Sequence, residues 1–152
     1  MTPVGIGYDS HRFAAGRRLV LGGVEIEHDR GLAGHSDADV LTHAVIDALL
    51  GAGGLGDIGT LFPDDDERWR DADSIDLLRT VVGQVAGRIV NIDATVVCEE
   101  PRLGARRAEM ERIISDATSA RVSVKASSNE GMGWVGRGEG IAAIAVAEIS
   151  GE

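Results

Sequence analysis

The sequence predicts an α+β single-domain sandwich: a mixed β-sheet with helices packed on one face, formed by residues 1–152 as one unit. Strand-like and helix-like segments follow one another without the strict alternation of a doubly wound fold. The length is that of one ordinary domain, with no repeat, linker or low-complexity tract. Hydrophobic residues are 43% of the chain and aromatics only 3%, so the core must be aliphatic; 21 glycines imply sharp turns and close backbone approaches.

Residues 4–9 read as a short first strand, and residues 18–28 as a hairpin turning at Gly22-Gly23. Residues 31–35 form a glycine-punctuated loop. Ser36 reads as the N-cap of a helix running to about Leu50, with Asp37 and Asp39 in the first turn, where carboxylates suit the helix dipole. Leu41, Ala44, Val45, Ala48 and Leu49 form its apolar stripe, and the glycines of residues 51–54 end it. Residues 56–66 are a loop with at most one short turn. Ser74 caps a second helix with Ile75, Leu78, Val81, Val82 and Val85 at helical spacing. Residues 88–97 alternate as a strand. A third helix follows Pro101, with Met110, Ile113, Ile114 and Ala117 on one face. Strands at 122–127 and 141–149 flank a glycine-rich loop at 131–140.

A net charge of −10 argues against nucleic acid as a partner, because a polyphosphate backbone is met by a basic surface. A small phosphorylated ligand needs only local cations and backbone donors, and in an acidic protein metal ions would offset the protein's own field. The lone Cys98 allows no intramolecular disulfide and reads as a small strand residue. Residues 1–7 lack the features of a signal peptide, and the longest apolar stretch, residues 140–147, is too short to span a bilayer. The expected location is cytoplasmic, with no membrane partner.

Asp9 and His11 lie two apart at a strand end, so strand periodicity puts both on one face. His43 sits in the first long helix, with Asp39 and Asp47 at i−4 and i+4 on the same face. Were that helix packed on the sheet, two imidazoles and a carboxylate would form a three-ligand zinc site with a vacant fourth position, the catalytic pattern. The flanking carboxylates could orient the His43 ring. A D-x-H pair also arises by chance, and a helical histidine is often an ordinary interior residue.

His35 and Ser36 at a helix start could meet a phosphate, although a plain cap fits the same residues. Asp57, Ile58 and Gly59, then Phe62, Pro63, Asp64, Asp65 and Asp66, could bind polyol hydroxyls or simply form a solvated acidic loop. Ser127, Ser128, Asn129 and Glu130 end a strand with groups able to hold phosphate oxygens and a hard divalent cation, or to make a polar turn. The glycines around Arg137 precede a strand and match neither a Rossmann fingerprint nor a P-loop.

Together, GYDSHRF (7–13), LAGHSDADVLTHAVIDALLGA (32–52), LGDIGTLFPD (55–64), EEPRL (99–103), KASSNE (125–130) and GRGEGIA (136–142) resemble the cyclodiphosphate synthase family of the non-mevalonate isoprenoid pathway. The stretches occur in family order over nearly the whole chain. The resemblance implies a homotrimer with active sites between neighbouring subunits. It implies Zn²⁺ on Asp9, His11 and His43, and Mg²⁺ or Mn²⁺ on Glu130 between the substrate phosphates. Ser10 falls within the first substrate-contacting stretch. His35 and Ser36 would meet the substrate phosphate, and Asp57–Gly59 with Phe62–Asp66 would line the methylerythritol pocket. From the adjacent subunit, Cys98, Glu99, Glu100, Pro101, Arg102, Leu103 and Gly104, with Ser127 to Glu130, would hold the cytidine diphosphate. His35 and Ser128 would act catalytically as donors to oxygens that gain charge. Trp134 and Arg137 fall at further ligand contacts, and the trimer's central cavity is a place for an isoprenoid diphosphate.

The implied reaction cyclises 4-diphosphocytidyl-2-C-methyl-D-erythritol 2-phosphate to the 2,4-cyclodiphosphate, releasing CMP. Three positions depart from the family's usual pattern: Ser127-Ser128-Asn129 stands for three threonines, Arg102 for lysine and Trp134 for phenylalanine. Two other readings share the residues. One is a metallophosphohydrolase with Asp39 or Asp47 as base; the other is a non-catalytic trimeric isoprenoid-phosphate binder.

Overall fold

The computed structural model describes residues 1–151. A five-stranded mixed sheet is built from β1 (Val4–Ala14), β4 (Gly31–Leu32), β5 (Ile89–Val97), β6 (Arg121–Ser127) and β7 (Gly140–Ile149). Its strand order is β4-β1-β7-β5-β6. β1 pairs antiparallel with β4 and β7, β7 antiparallel with β5, and β5 parallel with β6. The expected hairpin is β2 (Leu19–Leu21) with β3 (Val24–Ile26), a separate two-stranded sheet.

Helix α1 (Val40–Gly53) lies against β1 and β7, with α3 (Ser74–Val82) beside it, while α4 (Arg107–Thr118) packs on β6. Two one-turn helices, α2 (Ile58–Leu61) and α5 (Gly133–Gly136), sit in the loops. From the sequence, residues 131–140 are expected as loop throughout and the first strand is expected to end at residue 9. The structure places α5 in that loop and runs β1 five residues further, carrying His11 within the strand. No helix among the described residues is long and apolar enough to cross a membrane.

Asp39, not Ser36, caps α1; its carboxylate accepts from Thr42 N–H at 3.0 Å. The same carboxylate accepts from Gly22 N–H and Gly23 N–H, each at 2.8 Å, and from the Thr42 hydroxyl at 2.8 Å. One wholly buried side chain thus ties the hairpin turn to the start of α1. Gly54 ends the helix in a left-handed conformation, φ 66°. Similarly, Asp73 caps α3, and Ser74, expected as that cap, is its first residue. The cap must lie in extended backbone, which one-residue shifts in a polar run do not reveal in advance.

Helix α1 is apolar on nearly every side, as befits a helix enclosed by sheet, hairpin and α3. It approaches β1 at backbone contact. A Cβ placed on Gly7 would stand 1.9 Å from the Ala44 carbonyl oxygen, and one on Gly5 2.0 Å from that of Ala48. Facing them, β7 offers Ala143, Ala145 and Ala147, all fully buried. Small residues, not aromatics, set this spacing. The opposite face of the sheet carries exposed Val4 (61%), Ile6 (72%) and Tyr8 (56%), with Ile144 and Val146 paired across from Tyr8 and Ile6.

Gly7→Ala should destabilise the protein by about 3 kcal/mol or more, since backbone atoms cannot yield as a side chain does. Gly59→Ala, whose Cβ would meet nothing nearer than the Asp57 carboxylate at 3.7 Å, should change stability by less than about 1 kcal/mol. Urea denaturation of both variants checks the contrast; equal midpoints would contradict it.

Candidate metal centre and active site

On β1 the residues of one face are Gly5, Gly7, Asp9 and His11, as strand periodicity requires. The two glycines seat α1, and Asp9 and His11 follow at the helix's N-terminal end, where His43 projects. Asp9 Oδ2 lies 2.8 Å from His11 Nε2 and 3.1 Å from His43 Nδ1, and the two nitrogens are 3.4 Å apart.

The chemistry of this donor set fits a cation. His11 Nδ1 donates to the Ala33 carbonyl at 2.9 Å, and His43 Nε2 lies 2.8 Å from Ser74 Oγ and 3.2 Å from Ser36 Oγ. When those outer nitrogens donate, the inner nitrogens of neutral imidazoles present lone pairs to each other and to a carboxylate. Three acceptors at close range require a positive charge between them. A tetrahedron of metal–ligand bonds near 2.0 Å has edges of about 3.3 Å. The observed edges are 2.8, 3.1 and 3.4 Å.

Burial opposes ionisation of Asp9, but hydrogen bonds to His11 and His43 outweigh it and hold the carboxyl down to about 2. Burial also disfavours a charged His43; the hydrogen bond and charge of Asp9 prevail and push the imidazole above its usual 6.5.

The flanking carboxylates do not orient His43. Asp39 is engaged by its four donors, and Asp47 accepts from Ile58 N–H at 2.7 Å. Burial raises the pKa of both, Asp37 adding to the effect at Asp39. Nor do His35 and Ser36 stand at a helix N-terminus, because α1 begins only at Val40.

The triad opens into a cavity of about 610 Å³, also lined by His35, Ser36, Ile58, Gly59, Phe62, Pro63, Asp64 and Asp65. Asp57 and Asp66 do not line it. Asp57 caps α2, accepting from Thr60, and Asp66 is paired with Arg68. His35 Nε2 donates to the Asp66 carbonyl at 2.7 Å, leaving Nδ1 as its nitrogen for a ligand. Trp69 and Leu77 also line the cavity, and the sequence reading does not single them out. Trp69 stacks edge-on to Phe62 at 4.9 Å; an aromatic seven residues after Phe62 is the signal available for it.

A second group of predicted residues gathers at the other edge of the sheet. Cys98, Glu99, Pro101, Arg102, Leu103, Gly104, Ser127 and Ser128 line a separate cavity of about 510 Å³, with Arg107. The Glu99 carboxylate accepts from Asn129 N–H at 2.5 Å and Gly131 N–H at 3.2 Å. Glu99 thereby holds the loop that presents Ser128 and Glu130, both exposed, Glu130 at φ 55°. Burial, with Glu99 and Glu100 nearby, pushes the Cys98 thiol up to about 11, which leaves it inert as a nucleophile. Ser10, pointing to the face opposite Asp9, lines a third cavity with Trp134, while Glu100 and Arg137 line a fourth. Arg137 pairs with Glu139 at 2.6 Å.

A model of the YgbB family matches residues 2–150. The 2-C-methyl-D-erythritol 2,4-cyclodiphosphate synthase of Symbiobacterium thermophilum is 59% identical over 154 residues, covering 97% of this chain and 98% of its own. Among solved structures, a 2C-methyl-D-erythritol-2,4-cyclodiphosphate synthase in a CDP-bound form superposes with a TM-score of 0.86. It is 35% identical, over 95% of this chain and 97% of that one. The bifunctional IspDF of Campylobacter jejuni superposes with a TM-score of 0.93 at 39% identity, over 97% of this chain but only 42% of its own length.

Divalent cations should displace the proton held by His43. Its pKa is raised above the usual 6.5 by Asp9, so a bound proton is present below that raised value and competes with metal; affinity should fall as pH drops below it. Calorimetric titration with Zn²⁺ in two buffers of different ionisation enthalpy should give different heats, and identical heats would refute proton release.

Proposed function

The chain belongs to the YgbB family, and from that premise we propose that it is a metal-dependent 2,4-cyclodiphosphate synthase, a phosphorus–oxygen lyase of non-mevalonate isoprenoid precursor synthesis. Its substrate is 4-diphosphocytidyl-2-C-methyl-D-erythritol 2-phosphate. The convergence of Asp9, His11 and His43 at the floor of the larger cavity carries this reading.

In the reaction an oxygen of the 2-phosphate forms a bond to the β-phosphorus, the bond from that phosphorus to the bridging oxygen breaks, and CMP leaves with the electron pair. Asp9, His11 and His43 would hold Zn²⁺, and Glu130 Mg²⁺ or Mn²⁺; the ions supply positive charge to phosphoryl oxygens. The rest is positioning. The nucleophile belongs to the substrate, so the protein needs to fold one flexible molecule back upon itself and hold the two phosphates in line. Ile58, Phe62 and Trp69 give the methylerythritol chain an apolar wall, and Asp64 and Asp65 stand ready for its hydroxyls. His35, its Nε2 proton already donated, can donate to a phosphate oxygen through Nδ1 when protonated. Ser128 offers a hydroxyl to oxygens that gain charge, and Arg102 a fixed cation for the nucleotide diphosphate.

The two halves of this machinery do not meet within one subunit. Register carries Asp9 to Ala143, Val96 and Ala126 across the sheet. Three strand spacings therefore separate the triad from the end of β6, roughly 14 Å. That gap supports a site completed by a neighbouring copy. The exposed Val4, Ile6 and Tyr8 face of the sheet supplies an apolar surface for such assembly. We therefore read the enzyme as a homotrimer whose nucleotide half-site faces the next subunit's metal half-site. An isoprenoid diphosphate in the central cavity, near Trp134 and Arg137, and a cytoplasmic location complete the proposal.

With substrate, Zn²⁺ and Mg²⁺, ³¹P NMR should show the cyclic diphosphate and CMP in equal amounts, and His43→Ala should abolish both. A linear monophosphate would overturn the synthase reading. His43→Ala and Ser128→Ala, each inactive alone, should regain about a quarter of wild-type activity when co-assembled, as random mixing around a three-fold axis gives. No recovery on mixing would rule out a shared site.

A further inference from the structure

His43 stands in a chain of hydrogen bonds whose far end lies on neither of the elements that supply the ligands. Its Nε2 is 2.8 Å from Ser74 Oγ, and Ser74 is wholly buried. A serine hydroxyl has one proton. Here that proton is claimed by Asp37 Oδ1, which lies in close hydrogen-bond contact with the hydroxyl, while Asp37 Oδ2 accepts from Ser74 N–H at 3.0 Å. An ionised carboxylate only accepts, so Ser74 Oγ must accept from the ring, and the proton of His43 is fixed on Nε2. Ser36 Oγ accepts from Ala38 N–H and lies farther from the same nitrogen, at 3.2 Å, so Ser74 is the nearer partner.

We propose that Asp37, acting through Ser74, is the positioning residue that selects the His43 tautomer and so aims Nδ1, rather than Nε2, at the metal. The proposal rests on the reading of His43 as a metal ligand. The half-buried carboxylate at the end of the chain also makes the ligating nitrogen a better electron donor. Asp37 is itself held: its backbone N–H donates to the Ala72 carbonyl at 3.1 Å, and Asp39 N–H donates to its carboxylate at 3.1 Å. Beside this strut, Asp71 N–H donates to the His35 carbonyl at 2.8 Å. The metal ligand, the phosphate-facing histidine and the start of α3 are thus braced by one short segment, residues 35–37.

The test compares wild type with Ser74→Ala, Asp37→Asn and Ser74→Thr. Zn²⁺ affinity is read by chelator competition, and the His43 tautomer by ¹H–¹⁵N correlation in metal-free protein at a pH where the ring is neutral. Ser74→Ala should bind Zn²⁺ about 10- to 100-fold more weakly, and its His43 should gain the Nδ1–H form. Asp37→Asn can present an N–H to Ser74 Oγ and let the hydroxyl proton turn to Nε2, so it should shift the tautomer the same way. Ser74→Thr, which keeps the hydroxyl, should restore both. If both Ser74→Ala and Asp37→Asn leave the tautomer unchanged, the proposal falls, whatever happens to stability. Wild-type protein that binds no Zn²⁺ would defeat the metal reading instead, and the tautomer in the metal-free variants still decides this one.

Discussion

Helix α1 rests its backbone directly on that of β1, and the positions of Asp9, His11 and His43 follow from that contact. Gly5 and Gly7 leave no side chain between strand and helix, so the Ala44 and Ala48 carbonyls sit where Cβ atoms would otherwise be. Two residues further along the same face come Asp9 and His11, and one residue before Ala44 comes His43. Side chains in place of Gly5 and Gly7 would lift the helix off the strand and carry His43 away from Asp9 and His11. The aliphatic, alanine-rich core is therefore a geometric requirement of the site as well as a source of stability. Aromatic side chains in this layer would push the helix away from Asp9.

Asp39 fixes the other coordinate of α1, its position along the strand. Its carboxylate gathers three backbone N–H groups and one hydroxyl from both the hairpin turn and the first helical turn. A buried carboxylate is costly unless fully hydrogen-bonded, and here each oxygen has two donors. The aspartates that follow one another at 37 and 39 thus do separate work. One anchors the helix that carries His43, and the other reaches the imidazole through Ser74.

Much of this was legible in the sequence where it depends on local periodicity. The alternation of β1 puts Asp9 beside His11, the Gly22-Gly23 pair turns the hairpin, and helical spacing gives α1 and α3 their buried faces. What the sequence does not disclose is which polar residue in a run of several takes the cap. Ser36, Asp37 and Asp39 are all good caps by composition, and so are Asp73 and Ser74. The choice is made by partners far along the chain: Gly22 and Gly23 for Asp39, His43 for Ser74. The same holds for Asp47, which by helical spacing shares a face with His43 yet bonds to the Ile58 backbone. Trp69 escapes notice because its link to Phe62 is tertiary.

The placement of those acidic residues also bears on whether water or phosphate attacks. A hydrolase using the same metal needs a general base with a free lone pair beside the nucleophile. Of the two carboxylates on the His43 face of α1, Asp39 is enclosed with both oxygens occupied, and Asp47 is drawn to the start of α2. A phosphate that attacks intramolecularly needs no base, because it is already an anion. It needs instead a cavity that screens charge and enforces the fold-back of a flexible chain. In the proposed reaction the triad would seat the screening cation, and the wall of Ile58, Phe62 and Trp69 would favour a curled, desolvated substrate over an attacking water. The disposition of side chains around His43 therefore suits ring closure better than hydrolysis.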